Sequence, residues 1–374
     1  MSDPIHCELP PERDLRLDAA RGIALWFIFV DHIPDNICDW LTLRHYGFSD
    51  TTEVFMFVSG VTCALAYNVV RQCDGWWAVV SHTLRRGWEI YAAFLTLIVG
   101  LVVIVYAVGS DRLADEANVH VLLQQPGAAL AHAAILQYRP VNTDVLPVFV
   151  LFHLLFAPLL WLLVRSPDAA LAGSALLYAG VQLFGWNLPQ WPTNDWYFNP
   201  FAWQFLVVLG AWWVMGGRRR LRPFVTSGPV VGLAVIYLLF ALVIALSWSI
   251  KPLEALVPAG LAKLIYPIDK SDLDPLRLLH FLAIAVLVAR FVPQDWRGLS
   301  SPLLRGAVRC GENSLEIYCL GVPLSLLAHL VLTRLSGGVP AQIAVSVVGI
   351  LVLIAFATLS TWIGMGSRRQ AKLF

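Results

Sequence analysis

PVVGLAVIYLLFALVIALSW, residues 229–248, runs for twenty residues without one charged side chain. At ~1.5 Å rise per residue a helix of that length covers about 30 Å, the thickness of a bilayer's hydrocarbon core. Backbone in hydrocarbon must satisfy its own hydrogen bonds, so the run reads as a transmembrane helix. Similar windows lie near 17–37, 51–70, 87–108, 144–164, 169–186, 200–216, 276–292, 313–333 and 340–363, which makes about ten spans. Hydrophobic residues are 58% of the chain and charged residues 14%, against roughly 45–50% and about 25% in soluble domains. That is too little charge to cover a water-facing surface, so a soluble enzyme or nucleic-acid-binding module is excluded. The expected fold is all-α: a polytopic transmembrane helical bundle forming one integral-membrane domain over residues 1–374, with tails at 1–16 and 364–374.

Orientation follows from the basic residues. With the N-terminus inside, inner segments hold 18 Lys and Arg and outer segments 8, and the runs RRRLR (218–222) and RRQAK (368–372) both fall inside. The positive-inside rule therefore predicts cytoplasmic termini, in agreement with an even span count. The first 16 residues are polar and show no cleavable signal, so the first span is expected to act as its own membrane signal. Trp76, Trp77, Trp191 and Trp196 sit at segment ends, where amphipathic rings favour the headgroup layer. The stretch 119–138, broken by Gln124, Gln125, Pro126 and His132, reads as interfacial or re-entrant, and 74–84 as an amphipathic surface helix. Six cysteines, Cys7, Cys38, Cys63, Cys73, Cys310 and Cys319, show neither metal nor disulfide spacing, and no bridge is expected.

Ionisable groups inside spans are costly and mark functional candidates. In the alternating topology they fall in two layers. The inner layer holds Asp18, Arg21, Arg85, Arg86, Glu89, Glu312, Asn313 and Glu316; the outer holds Asp31, His32, Asp35, Glu53, Asp144, Asn199, Gln204, Arg277 and His280. His153, at mid-depth, is assigned to packing. The first span joins the layers. Arg21 and His32 are eleven residues apart, about three turns, so they share a face roughly 16 Å apart along the axis. An anionic ligand held at Arg21 would extend a thin arm toward His32. Pro34 removes the hydrogen bond to the Val30 carbonyl and should kink the helix beside His32. Asp35, one turn on, or Asp31, adjacent, is placed to hold the imidazole as a general base. Set against this, a lone span histidine often only bonds a neighbouring helix, Arg21 alone reads as an interfacial anchor, and Asp18 with Arg21 as an ordinary helix pair. These patterns stop at a ligand-handling membrane protein.

LDAARGIALWFIFVDH, residues 17–32, resembles the first span of the acyltransferase-3 superfamily, which begins L-D-x-x-R-G and sets a histidine after Arg-x10-His spacing. EVFMFVSG (53–60) resembles its D/E-x-F-F-x-x-S-G, and GENSLEIYCLGVP (311–323) its G-x-x-S-x-x-x-Y-x-x-H-x-P. Within it the likeness is to the OpgC type, osmoregulated periplasmic glucan succinyltransferases, through RDLRLD, FVDHIPDN, YGFSD, DVLP, NPFAWQ, LRLLHFLA and NSLEIYCLGV, spread over residues 13–322. Two positions depart: Glu89 stands where the wider family has a further arginine, and Gly321 where it has a histidine, so no role is borrowed there.

The resemblance implies a multi-pass protein of the bacterial inner membrane that takes succinyl-CoA as donor and a periplasmic glucan as acceptor; no metal is expected, and a homodimer is left open. Arg21, Arg85 and Arg86 would then clamp the CoA phosphates, and His32 would act as base, supported by Asp31 or Asp35. Glu53 either supports that site or pairs with Arg277 or His280. Asp144 reads as a sugar ligand or a helix cap, Trp203 as a stacking platform or a belt residue. Asn199, Gln204 and Ser59 are all oxyanion-donor candidates, although Ser59-Gly60 also suits close helix packing. Asn313 and Glu316 meet the donor or pair with Arg21. Arg277 is the outer-layer cation for a succinyl carboxylate. The rival readings are transfer of another acyl group, such as acetyl, to another envelope glycan, and a glycan or carboxylate transporter. The internal repeats and paired broken helices that mark many transporters are not evident here.

Overall fold

A computed structural model describes residues 14–109, 111–255 and 257–371. It is 79% helical. Its principal helices are α1 (Leu15–Asp31), α2 (Thr51–Val108), α3 (Val145–Arg165), α4 (Pro167–Phe184), α5 (Pro200–Trp212), α6 (Gly228–Ser247), α7 (Pro275–Phe291), α8 (Pro302–Glu312), α9 (Ser314–Arg334) and α10 (Val339–Ala371). A two-stranded antiparallel hairpin, β1 (Pro189–Gln190) and β2 (Asn194–Asp195), pairs Pro189 with Asp195 and Gln190 with Asn194.

Among the described residues six helices are long and apolar enough to cross a membrane: α2, α3, α5 with its continuation to Val225, α6, α9 and α10 as far as Ile363. α2 alone, 58 residues long, covers two of the expected spans and breaks between them at Gly75, whose φ of 83° no L side chain adopts readily. The expected surface helix 74–84 is therefore not separate: beyond Gly75 it is the beginning of the helix that continues through 87–108. α1, α4 and α7 occupy three more expected spans with 17, 18 and 17 residues. At ~1.5 Å per residue 17 residues reach about 26 Å, a few ångströms short of a typical hydrocarbon core.

The apolar faces are turned outward. On α6, Leu233, Ile236, Leu239 and Val243 are exposed while Ala234, Ala241 and Ala245 are buried. Large side chains face the surroundings and small ones the protein, the arrangement of a helix in lipid. The protein is an all-α membrane protein.

Contacts divide the chain into two compact units. In one (residues 56–222 and 270–273), α2 and α5 touch backbone to backbone: a Cβ at Gly60 would overlap the Val207 carbonyl, and one at Gly210 the Phe57 carbonyl. Gly60 is thus a helix-packing position. His153 sits in the same unit as assigned, bonded through Nδ1 to the Phe149 carbonyl at 2.9 Å and edge-on to Tyr67. In the other unit (14–55, 223–269 and 274–371), α1 meets α8 equally closely: a Cβ at Gly22 would overlap the Ala307 carbonyl, and one at Gly311 the Asp18 carbonyl. α10 closes on α1 where Gly349 receives the Phe29 ring and Ser346 the Asn36 amide at 2.9 Å. A second core gathers Phe48, Ala241, Ile244 and Ile265.

One cysteine expectation fails. Cys73 is disulfide-bonded, while Cys38, Cys63, Cys310 and Cys319 are free. Spacing along the chain does not by itself exclude a bridge.

The glycine contacts generate a test. Gly22→Ala should destabilise the protein by about 1–3 kcal/mol through overpacking, read as a lower thermal midpoint in detergent. Gly100→Ala, at a helix position with nothing within 4 Å of the new Cβ, should be neutral or slightly stabilising.

Candidate functional site

α1 begins at Asp14, whose side chain caps the Arg16 amide at 3.1 Å. One turn into it, Asp18 is buried and Arg21 half-buried. Arg21 donates to the Ser314 hydroxyl, which in turn donates to the Gly311 carbonyl. Arg21's hydrogen-bond partner is therefore Ser314, at the start of α9, rather than Asn313 or Glu316. Asn313 instead bonds the Arg309 carbonyl and Thr361 at 2.9 Å each, and Glu316 is exposed.

The helix stops sooner than the sequence suggested. His32 is its C-cap: its amide donates to the Ile28 carbonyl at 3.1 Å, and Ile33 closes a tighter turn onto Val30 at 3.1 Å. Pro34, with no amide to continue the ladder, lies in an exposed turn past the end, so it terminates the helix instead of kinking it. Asp35 follows at a left-handed φ of 56° and is exposed, which takes it off the helical turn expected to place it beside His32. Asp31, adjacent to His32, is half-buried and accepts from Thr42 at 2.7 Å. The imidazole itself is half-buried. It still lies eleven residues from Arg21 on one helical face.

In the same unit Asp50, Glu53, Arg277 and His280 form a buried cluster. Asp50 caps the Thr52 amide at 2.8 Å and Glu53 reaches back to the Asp50 amide at 3.0 Å, a reciprocal capping box at the start of α2. Arg277 holds Glu53 at 2.7 Å and Asp50 at 3.2 Å. Glu53 has no exposed surface. Both its oxygens are engaged, and the alternative in which it pairs with Arg277 is the one the geometry displays. His280 accepts the Ser49 amide through Nδ1 at 3.3 Å, with the Ser49 hydroxyl 2.7 Å from the same nitrogen. An amide can only donate, so Nδ1 is unprotonated and the neutral ring carries its hydrogen on Nε2.

The remaining candidates belong to the other unit. Asn199 caps α5, accepting the Phe201 amide at 3.0 Å, and its amide hydrogens go to the Trp186 carbonyl at 2.6 Å and Asp272 at 2.8 Å. Trp203 is fully buried and donates to the Ser271 carbonyl at 3.0 Å and the Lys270 carbonyl at 3.2 Å. Gln204 gives its amide hydrogens to the Ser174 and Phe201 carbonyls, both at 3.0 Å. Asn199 and Trp203 therefore tether the loop 270–273, and Gln204 joins α4 to α5. Their donors are used, and Trp203 offers no open ring face to a sugar. Asp144 precedes α3 without capping it and stands 3.7 Å from the buried Arg139. Burial pulls the Arg139 guanidinium down to about 10, with Asp144 working the other way; it stays charged at neutral pH. Arg85 and Arg86 share one carboxylate, Glu89, at 3.1 and 2.9 Å. The glutamate at the family's arginine position thus leaves the trio one net positive charge.

Sequence reasoning overlooked Asp50, Ser314, Thr42 and Arg139. Asp50 had a readable signal, an aspartate three residues before a glutamate at a helix start. Ser314 meets Arg21 across 293 residues and left no local mark, whereas Thr42 and Arg139 meet Asp31 and Asp144 through loop turns that periodicity does not register. Arg277→Met should cost about 3–5 kcal/mol by stranding two buried carboxylates, read as a lower thermal midpoint in detergent; an unchanged midpoint would contradict the pairing.

The family model described as OpgC protein matches residues 13–365. No curated protein and no solved structure matches the chain. The match covers every helix that carries a candidate residue. The chain belongs to the OpgC family and is, on that ground, a membrane acyltransferase.

Proposed function

We propose that the chain moves a succinyl group from cytoplasmic succinyl-CoA to hydroxyls of periplasmic glucans, with His32 as general base. One observation carries this reading: a single helix, pinned by backbone contact at Gly22 and Gly311, bears a half-buried arginine at one end and a half-buried imidazole at the other. Their separation of about 16 Å suits an extended pantetheine arm.

In this account ten segments cross the bacterial inner membrane and both termini are cytoplasmic, in keeping with the 18-to-8 distribution of basic residues. Arg21 meets CoA phosphate at the inner face. Arg85 and Arg86, also assigned to that face, supply a further positive charge. The acceptor hydroxyl gives its proton to His32, and its oxygen attacks the thioester carbonyl. The carbon–sulfur bond then breaks, and the departing CoA thiolate takes the proton back from the imidazolium. Asp31, held by Thr42, is the carboxylate nearest in sequence that supports the charged ring. Thioester, hydroxyl and base suffice for this chemistry, and no metal is called upon.

Two results test the proposal. His32→Ala should abolish acylation of periplasmic glucans, read by mass analysis, while glucan abundance stays unchanged; retained acyl groups would remove His32 as the base, and missing glucans would favour transport. A periplasm-active phosphatase fused after Lys372 should be inactive, and activity there would reverse the orientation.

A further inference from the structure

In the unit formed by residues 56–222 and 270–273, the end of α3, the start of α4 and the end of α5 meet on one side. Asp168, in the first turn of α4, joins them. Its Oδ1 accepts from the Trp212 indole at 2.9 Å and its Oδ2 from Arg220 at 2.7 Å. Between these two contacts the helix is broken at Gly216, and the Trp212 ring lies where a Cβ on Gly217 would stand. Asp168 therefore fixes the run 218–222, RRRLR, against α5 across the break. Arg165 ends α3 three residues before Asp168, hence within ~11 Å of it along the chain. Its guanidinium lies 4.6 Å from the centroid of Trp161.

Arg165, Arg218, Arg219, Arg220 and Arg222 thus gather around one carboxylate. All but Arg218 are exposed. Two large apolar side chains lie open among them, Trp161 at 46% and Leu221 at 40% exposure. So dense a positive charge selects an anion, and the guanidinium fork matches phosphate oxygens. A soluble phosphate compound gains nothing from an exposed indole and leucine. An anionic phospholipid presents a phosphate and an acyl chain side by side, at the depth where tryptophan settles. Arginine clusters that directly follow a span attract such headgroups. A zwitterionic lipid brings an ammonium that the arginines repel. The hold of Asp168 on Arg220 pre-orders the cluster, which lowers the entropy lost on binding.

We propose that this face, the cytoplasmic one in the orientation given above, binds the headgroup of an anionic phospholipid, with Trp161 and Leu221 against its acyl chains. The site lies outside the transfer reaction and does not depend on it.

The test is binding of phosphatidylglycerol to the full-length protein in detergent micelles, with phosphatidylcholine as the comparison, read by native mass spectrometry. Phosphatidylglycerol should bind at least tenfold tighter, and added salt should narrow the difference. Arg165→Gln together with Arg219→Gln should weaken it about thirtyfold, and Trp161→Ala should weaken it as well. The matching pair Arg165→Lys and Arg219→Lys keeps the charge and should retain most of the affinity, which separates lost charge from lost fold. Equal affinity for the two lipids would overturn the site, as would undiminished binding by the double glutamine variant. Displacement of the lipid by adenosine 3′,5′-bisphosphate would also overturn it, by giving the arginines to a soluble phosphate ligand. Neither failure touches His32, and a His32→Ala protein should bind phosphatidylglycerol as the wild type does.

Discussion

Two glycines set the position of the helix on which this account turns. Gly22 on α1 and Gly311 on α8 each occupy a point where a Cβ would overlap the partner's backbone carbonyl. Such contact fixes helix rotation more tightly than side-chain packing does, because backbone cannot change rotamer. Arg21 precedes one glycine and Ser314 follows the other closely, so the arginine's hydrogen bond is a consequence of the same contact. Once this end is fixed, helical geometry carries the setting to His32.

The cost of charge in an apolar surround explains most other polar residues. Arg277 lies between two buried carboxylates, and Asn199 has its amide hydrogens bound. Groups paired in this way hold helix ends and loops in place. Arg139 and Asp144 stand apart because their separation leaves a direct bond unmade.

The class of fold was legible because lipid simplifies the code: a run such as 229–248 admits one reading, and its outward Leu233, Ile236 and Leu239 agree. Helix ends were less legible. The first span was drawn to residue 37, whereas α1 ends at Asp31, because hydropathy does not register the proline that stops the ladder. The break at Gly75 went unread for a related reason, since one glycine hardly alters a window average. At the site, the arginine, the imidazole and their spacing were visible as local facts. What occupies each side chain was not: whether Trp203 faces a ligand or a carbonyl depends on loop 270–273, some 67 residues away. Longer separations, 293 and 227 residues, hid Ser314 from Arg21 and Asp50 from Arg277.

Vectorial transfer is the claim that most needs measurement. The purified protein would be reconstituted in sealed vesicles with one orientation, with radiolabelled succinyl-CoA supplied on the cytoplasmic side and a β-glucan on the other. The account predicts label in the glucan in this arrangement, little when donor and acceptor share the outer side, and none with His32→Ala. Label appearing only when both substrates are on one side would contradict it.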